Sequence, residues 1–505
     1  MATKLATPGV YIEEKSAFGN TVVSVPTAVP AFVGYTEKAA RGTKSLINVP
    51  TRVSSFSEYN DLFGGPSMTK FEITSDEGSF NLRMVKSTRF LMYDSMRLFF
   101  NNGGSSCYIV SVGDYSSGVS AKDLSDTKAN GGIISLEKHL EPTILVVPDS
   151  TLLSDSDCYS IQADMLAHCG GKMKNRFAIL DVYNGDLSRT HDDNDIINKF
   201  REGVGSNFLS WGAAYYPFVN TNVISSSEVN YLRISNPEAL VEMLTAEVED
   251  SVSTSKVSEA KGEAIKSEIA KISDSDNSDV HSTHAILSSV SSTYNLIMDQ
   301  ILSDLNVMPP SSAMAGAYSM VDGAFNVGKS PANVSLGSVL SPCVNINSDD
   351  QEDMNVPLNG KAVNAIRSFT GKGTLVWGAR TMDGNSQDWR YVSVRRTMTF
   401  LEQSIKSSSE AFVFSPNNST TWSTLRATVS NFLNNQWVGG LLVGSSPDEA
   451  FQIEIGLGST MNANDILDGV LKMTVKVAVV RPAEFIVLTF EQKQQGGGTG
   501  GGSES

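Results

Sequence analysis

The strongest constraint on the fold is a pair of short, unbroken apolar runs, EPTILVVPDS (141–150) and NRFAILDVY (175–183), separated by a helically spaced segment. A strand that is apolar along its whole length must be covered on both faces, as in a parallel sheet sandwiched between helices. The intervening DCYSIQADMLAHCGG has helical spacing and ends on glycines, a helix-stop signal. These pieces read as strand, helix, strand. A further helical stretch at Asp195 to Phe200 and a buried strand in FLSWGAAYYPFV (208–219) extend the pattern. The expected fold class is therefore α/β, with a parallel unit over about residues 100–225.

At 505 residues the chain is longer than one hydrophobic core serves, so two or more domains are expected. Its 39 Lys and Arg against 55 Asp and Glu give a net charge of −16, which argues against nucleic acid or anionic membrane as a partner. Cys107, Cys158, Cys169 and Cys343 have neither the short paired spacings of a zinc site nor the density of a disulfide scaffold, so reduced structural thiols are expected. The opening MATKLATPGVYIEE has no basic stretch followed by an apolar run, and no segment approaches 18 apolar residues. Synthesis in the cytoplasm without a signal peptide, and no membrane insertion, are the expectations.

From Glu228 to Leu305 fourteen acids face five bases, giving −9, and the segment reads as solvated helices. Leu240, Leu244, Val248, Ile265, Ile269 and Ile272 supply an apolar stripe, and Glu263 with Lys266 and Glu268 with Lys271 are i,i+3 pairs on the wet side. SDSDNSD (273–279) breaks the run. Residues 309–357 are rich in Gly, Ser, Pro and Asn and read as a long irregular connector; strands and helices resume from about 358 to 495. The final GGGTGGGSES (496–505) is expected to be a disordered tail.

Candidate chemistry is sparse. Asp192, Asp193 and Asp195 beside His191 are near-consecutive and read as a solvated loop or helix N-terminus, since they cannot all face one ion without a second segment. His281 and His284 have HxxH spacing but no nearby Glu or Cys. GKGTLVWG (371–378) lacks the spacer and terminal Gly-Lys-Ser/Thr of a phosphate loop, and no G-x-S-x-G elbow occurs. No catalytic, cofactor-binding or metal residue is assigned, and an ordinary enzyme is disfavoured.

Against the acidic background, TLVWGARTMDGNSQDWRYVSVRRTMTFLEQSI (374–405) carries two tryptophans and four arginines, and residues 361–406 hold eight bases and three acids. Alternation in WRYVSVRR predicts a strand, with Trp389, Tyr391, Ser393 and Arg395 on one face and Arg390, Val392, Val394 and Arg396 on the other. Met398, Leu401 and Ile405 predict a helix after it.

This segment and others carry a resemblance. VNAIRSFTGKGTLVWGARTM, WRYVSVRRTMTFLEQSI, FVFSPNNSTTWSTLRATVSNFLNNQWVGGLLVG and RPAEFIVLTFEQ resemble, in order and spacing, the C-terminal half of contractile tail sheath proteins of phages and related injection systems. PGVYIEE, VPTAVPAFVGYT, FSEYNDLFGG, FFNNGGSSCYIV and PPSSAMAGAYSMVDG resemble the family's earlier landmarks, so the likeness runs from about residue 7 to residue 492. It departs from the family at GKSPAN (328–333) and at Ser415. The resemblance implies a structural subunit that stacks as hexameric rings around an inner tube in a metastable extended state, then contracts to drive the tube into a target. No cofactor or nucleotide is required. The implied partners are further copies of the chain, the inner tube protein, and baseplate and terminal cap proteins, in a phage tail or a phage tail-like particle open to release outside the cell.

In the resembling family both chain termini contribute to a tube-facing domain, and the middle of the chain faces outward. The implied division is an arm at 1–20, an inserted outer region at 21–355, a core sheath domain at 358–495 and the tail. Short terminal strands suit pairing with neighbouring subunits, through Val10, Tyr11, Ile12 and Glu13 at one end and Phe485, Ile486, Val487 and Leu488 at the other. KSAFGN and RPAE offer bends beside them. Lys361, Lys372, Arg390, Arg395, Arg396 and Lys406 are the tube-facing candidates, against the alternative that Arg395 and Arg396 pair with carboxylates inside the domain. Two other readings stand beside this one: a specialised sheath paralogue confined to basal or distal rings, and an α/β nucleotide-binding enzyme.

Overall fold

The computed structural model describes residues 22–76, 79–274 and 279–485. Nine strands form one sheet: β1 (Pro30–Gly34), β2 (Thr51–Val53), β3 (Cys107–Ser111), β4 (Ile144–Val146), β5 (Phe177–Asp181), β6 (Gly212–Tyr216), β7 (Val334–Ser335), β8 (Asn364–Phe369) and β9 (Gly373–Val376), in the order β7-β9-β8-β6-β5-β4-β1-β3-β2. The six strands from β8 to β3 are parallel, with Ile144 opposite Phe177, Ala178 opposite Gly212 and Tyr216 opposite Ala365. At the two ends of the sheet β2 pairs antiparallel with β3, and β9 pairs antiparallel with both β8 and the edge strand β7. The apolar runs thus form β4, β5 and β6 as expected, and the α/β fold class is borne out.

Alternate residues of each strand feed two separate cores. Phe32, Ile144, Val146, Ile179 and Tyr215 face α1 (Met92–Asn101) and a later helix on the same side. Ala31, Val33, Leu145, Leu180 and Tyr216 face α2 (Asp155–Leu166) and α3 (Ile196–Gly203). Ser154 caps α2 by accepting from the Asp157 amide, and Asp195 caps α3 by accepting from the Ile197 and Asn198 amides.

Residues 309–357 are not the irregular connector that their composition predicts. They contain α4 (Ser311–Ala324), nine of whose residues are buried against the sheet and α1, as well as β7 and a helix at Ser348–Asn355. The small residues serve close packing: a Cβ on Gly316 would lie 2.6 Å from the Phe99 carbonyl oxygen of α1. A composition that resembles a loop is here a helix–helix contact surface.

Among its described residues the acidic stretch forms four α-helices, Pro237–Ser253, Glu259–Ala270, Val280–Val290 and Ser292–Leu305. All six residues of its expected apolar stripe are buried, and the two expected i,i+3 pairs close at 3.5 and 2.7 Å. Its core is shared with a hairpin, Phe71–Asp76 and Ser79–Met84, that supplies buried Phe71 and Ile73.

The C-terminal unit contains α5 (Val392–Ser409), α6 (Ser419–Val438) and a hairpin of Phe451–Ile455 with Met473–Val477. Phe400, Leu401, Leu425, Val429 and Phe432 form its core, and Val22 and Val25 from the other end of the described chain pack against it. Two expectations are corrected. The boundary drawn at 358 falls inside the α/β unit, because β8 and β9 complete its sheet. WRYVSVRR is not a strand: α5 begins at Val392, and Val392, Arg396, Phe400 and Ser404 are all buried at helical i,i+4 spacing. The helical stripe is hidden in the sequence because an arginine occupies one of its inward positions.

Candidate assembly interface

The basic segment divides by burial. Arg396 donates from Nη1 and Nη2 to the Asp322 carboxylate at 3.0 and 2.6 Å, and both side chains are only 4% exposed. Its Nη2 also donates to the Thr27 carbonyl at 3.0 Å, and its guanidinium lies 4.7 Å from the Tyr318 ring. Arg395 sits between Trp211 and Trp389, 4.1 and 4.2 Å from the two ring centroids, with Glu402 at 3.4 Å. Cation–π contact and a desolvated ion pair satisfy these two charges inside the subunit. Arg395 and Arg396 are therefore corrected from tube-facing candidates to internal joints.

Arg390 is half-buried and stacks 5.9 Å from the Tyr391 ring, donating to the Ser386 carbonyl at 3.0 Å. Lys361 is half-buried, and its ammonium donates to the Arg201 carbonyl. Lys372, in the turn between β8 and β9, and Lys406, in the last turn of α5, are exposed. These six residues do not form one continuous basic surface.

Of the residues expected to exchange strands, Val10, Tyr11, Ile12, Glu13, Ile486, Val487 and Leu488 lie outside the described residues, while Phe485 is 71% exposed. The C-terminal hairpin has no third strand among the described residues. A sheet of two strands is marginal alone and leaves edges able to accept more. The same unit exposes Val413, Phe414, Val438, Leu457 and Leu467, apolar surface of the kind that marks protein contacts.

The enzyme reading can be tested at the sheet's topological switch point. There β1 is flanked by β3 and β4, and α1 and α2 cover opposite faces; ligands of such sheets bind outside the strand ends at this crevice. Here a buried carboxylate fills it. Asp149 accepts from the Tyr35 amide at 2.9 Å and the Leu91 amide at 2.7 Å, at the N-terminus of α1 where a phosphate would bind. A Cβ on Gly34 would come within 2.4 Å of the same carboxylate. Asp181 accepts from the Ser311 amide at 2.9 Å at the start of α4 in the same manner. Burial pushes Asp149 up to about 6 and Asp181 up to about 7, outweighing the amide donors.

The other weighed motifs have structural roles. Gly371 and Gly373 adopt φ of 77° and 76° in the β8–β9 turn, and Asp195 holds Arg189 at 3.1 Å while capping α3. His191 meets Asp350 at 2.9 Å, and His284 meets the Tyr294 hydroxyl at 2.7 Å. The described residues contain no group of three His, Cys, Asp or Glu placed to hold a metal, and no described helix is long and apolar enough to cross a membrane.

Residues 385–493 match the phage tail sheath C-terminal domain family. No curated protein matches the chain. Among solved structures, the chain is similar to the sheath complex of an extracellular contractile injection system, PVC, in the contracted state, at 25% identity and a TM-score of 0.59 over 98% of this chain and 99% of that one. It is similar to the helical sheath of the anti-feeding prophage in the contracted state at 26% identity and a TM-score of 0.61, over 97% and 99% of the two chains. A chain of the six-fold symmetrised anti-feeding prophage baseplate gives 26%, 0.59 and the same coverage. The sheath resemblance read from the motifs is borne out.

Proposed function

We infer that this chain is a structural sheath subunit of a contractile injection machine, working as one of many copies in a phage tail-like particle. The observation that carries this reading is the match over nearly the whole length of both chains to sheath subunits of two such machines. An isolated C-terminal likeness would leave the role of the α/β unit open; a match from end to end does not. The filled switch point removes the main structural reason for an enzyme reading, since its anion-binding position is occupied by Asp149.

The subunit associates with copies of itself and with a baseplate. In the finer reading, six copies form a ring, rings stack around an inner tube, and a cap closes the far end. A contact between different patches of identical chains repeats without closing on two copies, which builds rings and helices. The hairpin with open edges accepts strands from neighbouring copies, and the terminal segments around Val10–Glu13 and Phe485–Leu488 supply them. Contraction then draws on the free-energy difference between two packings of the polymer. Lys372 and Lys406, with Lys361 and Arg390 at the margins, are the remaining candidates for contact with the tube.

The test is a truncation. Without residues 1–15 the chain should remain folded by circular dichroism yet sediment as a small species, while the full chain sediments as a polymer. Polymers of normal length from the truncated chain would contradict strand exchange at that end.

A further inference from the structure

Both ends of the described chain are tied down by buried arginines. At the first end, the Thr27 carbonyl accepts from Arg396 Nη2 at 3.0 Å and from the Thr143 hydroxyl at 2.8 Å. Two residues earlier, the Val25 amide donates to Ser404 Oγ on α5 at 3.2 Å. At the other end, the chain is first paired within the C-terminal unit: the Ala478 amide donates to the Ala450 carbonyl at 2.9 Å and the Val480 amide to the Leu441 carbonyl at 3.2 Å. Four residues later it is held by the α/β unit instead.

That second hold is a clamp on Glu484. Arg380 Nε donates to Oε1 at 3.0 Å and Nη2 to Oε2 at 2.6 Å; Asn355 Nδ2 donates to Oε1 at 2.9 Å and the Tyr391 hydroxyl to Oε2 at 3.3 Å. Arg380 Nη1 donates to the Asn355 carbonyl at 2.9 Å, so each guanidinium nitrogen is engaged. The Arg380 backbone is fixed in turn, its amide donating to Asn364 Oδ1 of β8 at 2.7 Å. A solvated ion pair would contribute little, but the Arg380 side chain is 4% exposed and the Glu484 side chain 21%. A forked, largely desolvated arginine–carboxylate contact is strong in geometry and costly to break on one side. One residue past the clamp, Phe485 is in solvent.

We propose that Arg396 and Arg380 are anchors for the roots of the two terminal arms: Arg380 delivers a neighbouring subunit's pull on the second arm to the α/β unit, and Arg396, reaching from α5 to Asp322 of α4, delivers a pull on the first arm to the joint between the two units, so that neither pull peels away the C-terminal unit. The proposal rests on the sheath reading and extends it. It also accounts for the concentration of arginine in an acidic chain: Arg380 and Arg396 lie in the basic segment and between them hold both ends. They are positioning residues, acting through Glu484 and the Thr27 carbonyl.

The test uses the full chain and has two readouts. Glu484→Gln keeps the shape of the side chain and removes its charge. Hydrogen exchange on the free subunit should show the Val480 amide exchanging about tenfold faster or more, since it lies beside the clamp. Arg396→Met combined with Asp322→Asn, which removes the guanidinium donor to the Thr27 carbonyl without leaving a buried charge unpaired, should do the same at Val25. Tyr391→Phe, which removes only the 3.3 Å contact, should stay within about twofold of wild type. Glu484→Gln should lower the melting temperature by less than about 10 °C and yet polymerise at least about tenfold less.

Unchanged exchange with normal polymers would overturn the proposal. So would a fall in melting temperature beyond about 10 °C, which would make the clamp a stabiliser of the fold. If the wild-type chain itself forms no polymer, the sheath reading fails, and the exchange data on the free subunit still decide whether the two ends are anchored by these arginines.

Discussion

At the scale of single residues, the buried charges fall into two classes with opposite pH behaviour. Asp149 and Asp181 are raised by burial, so the folded state binds more protons than the unfolded state between their ordinary range near 4 and about 6 to 7. Stability from these groups is therefore highest below that window and declines as pH rises through it. Asp195, Asp353 and Glu484 are lowered in the folded state, where arginines and other donors oppose the effect of burial, and their contribution is lost as pH falls below the ordinary carboxylate range. Thermal melts from pH 4 to 8 should show a contribution from Asp181 that declines between pH 4 and about 7, on the order of 4 kcal/mol in all. Asp181→Asn, which keeps an acceptor for Ser311, should flatten that limb. The same pH dependence in wild type and Asp181→Asn would contradict this assignment.

At the scale of elements, the acidic insert leaves and rejoins the α/β unit at one point. Asn306 accepts from the Ile224 amide at 3.0 Å and donates to the Ile224 carbonyl at 3.0 Å, so a short Gly/Ser linker can close the gap left by removing residues 226–304. The hairpin complicates that excision, because Phe71 and Ile73 are buried in the insert's core and would become exposed. The excised chain should aggregate as it stands, but with Phe71→Ser and Ile73→Thr it should be soluble and retain polymerisation. Failure of this second variant to fold would show that the insert supports the α/β unit.

The same elements show what the sequence made legible. Strands β4 to β6 were readable because burial on both faces leaves an unbroken apolar run, and the insert was readable because one wet face leaves a clean stripe. The hairpin at 71–84 was not, since its partners lie about 160 positions away and nothing local records them. Helix α4 was misread because Ala, Gly and Ser that permit close approach also compose loops. Helix α5 was misread because Arg396 occupies an inward position by virtue of Asp322, a partner 74 positions earlier. The Glu484 clamp escaped for the same reason: RPAE reads as a bend, and only the fold brings Arg380, Asn355 and Tyr391 around it.

At the scale of the whole molecule, the charge pattern gains a second meaning. The stretch 228–305 concentrates −9, while the exposed bases of the positive segment reduce to Lys372 and Lys406 with partial exposure at Lys361, Arg367 and Arg390. Single exposed pairs contribute about 1 kcal/mol or less, so only repetition over many subunits makes them count. Charge reversal at Lys372 and Lys406 should weaken co-sedimentation with the tube more than self-polymerisation, and raised salt should mimic it. Normal tube binding by the reversed chain at every salt concentration would place the tube contact elsewhere.

The central claim is that the chain polymerises into a contractile sheath, and negative-stain microscopy of the chain co-expressed with its inner tube protein tests it most directly. The account predicts hollow cylinders of stacked rings around the tube, present in a long narrow form and a short wide one. A monodisperse small oligomer that never builds cylinders, with or without the tube, would contradict it.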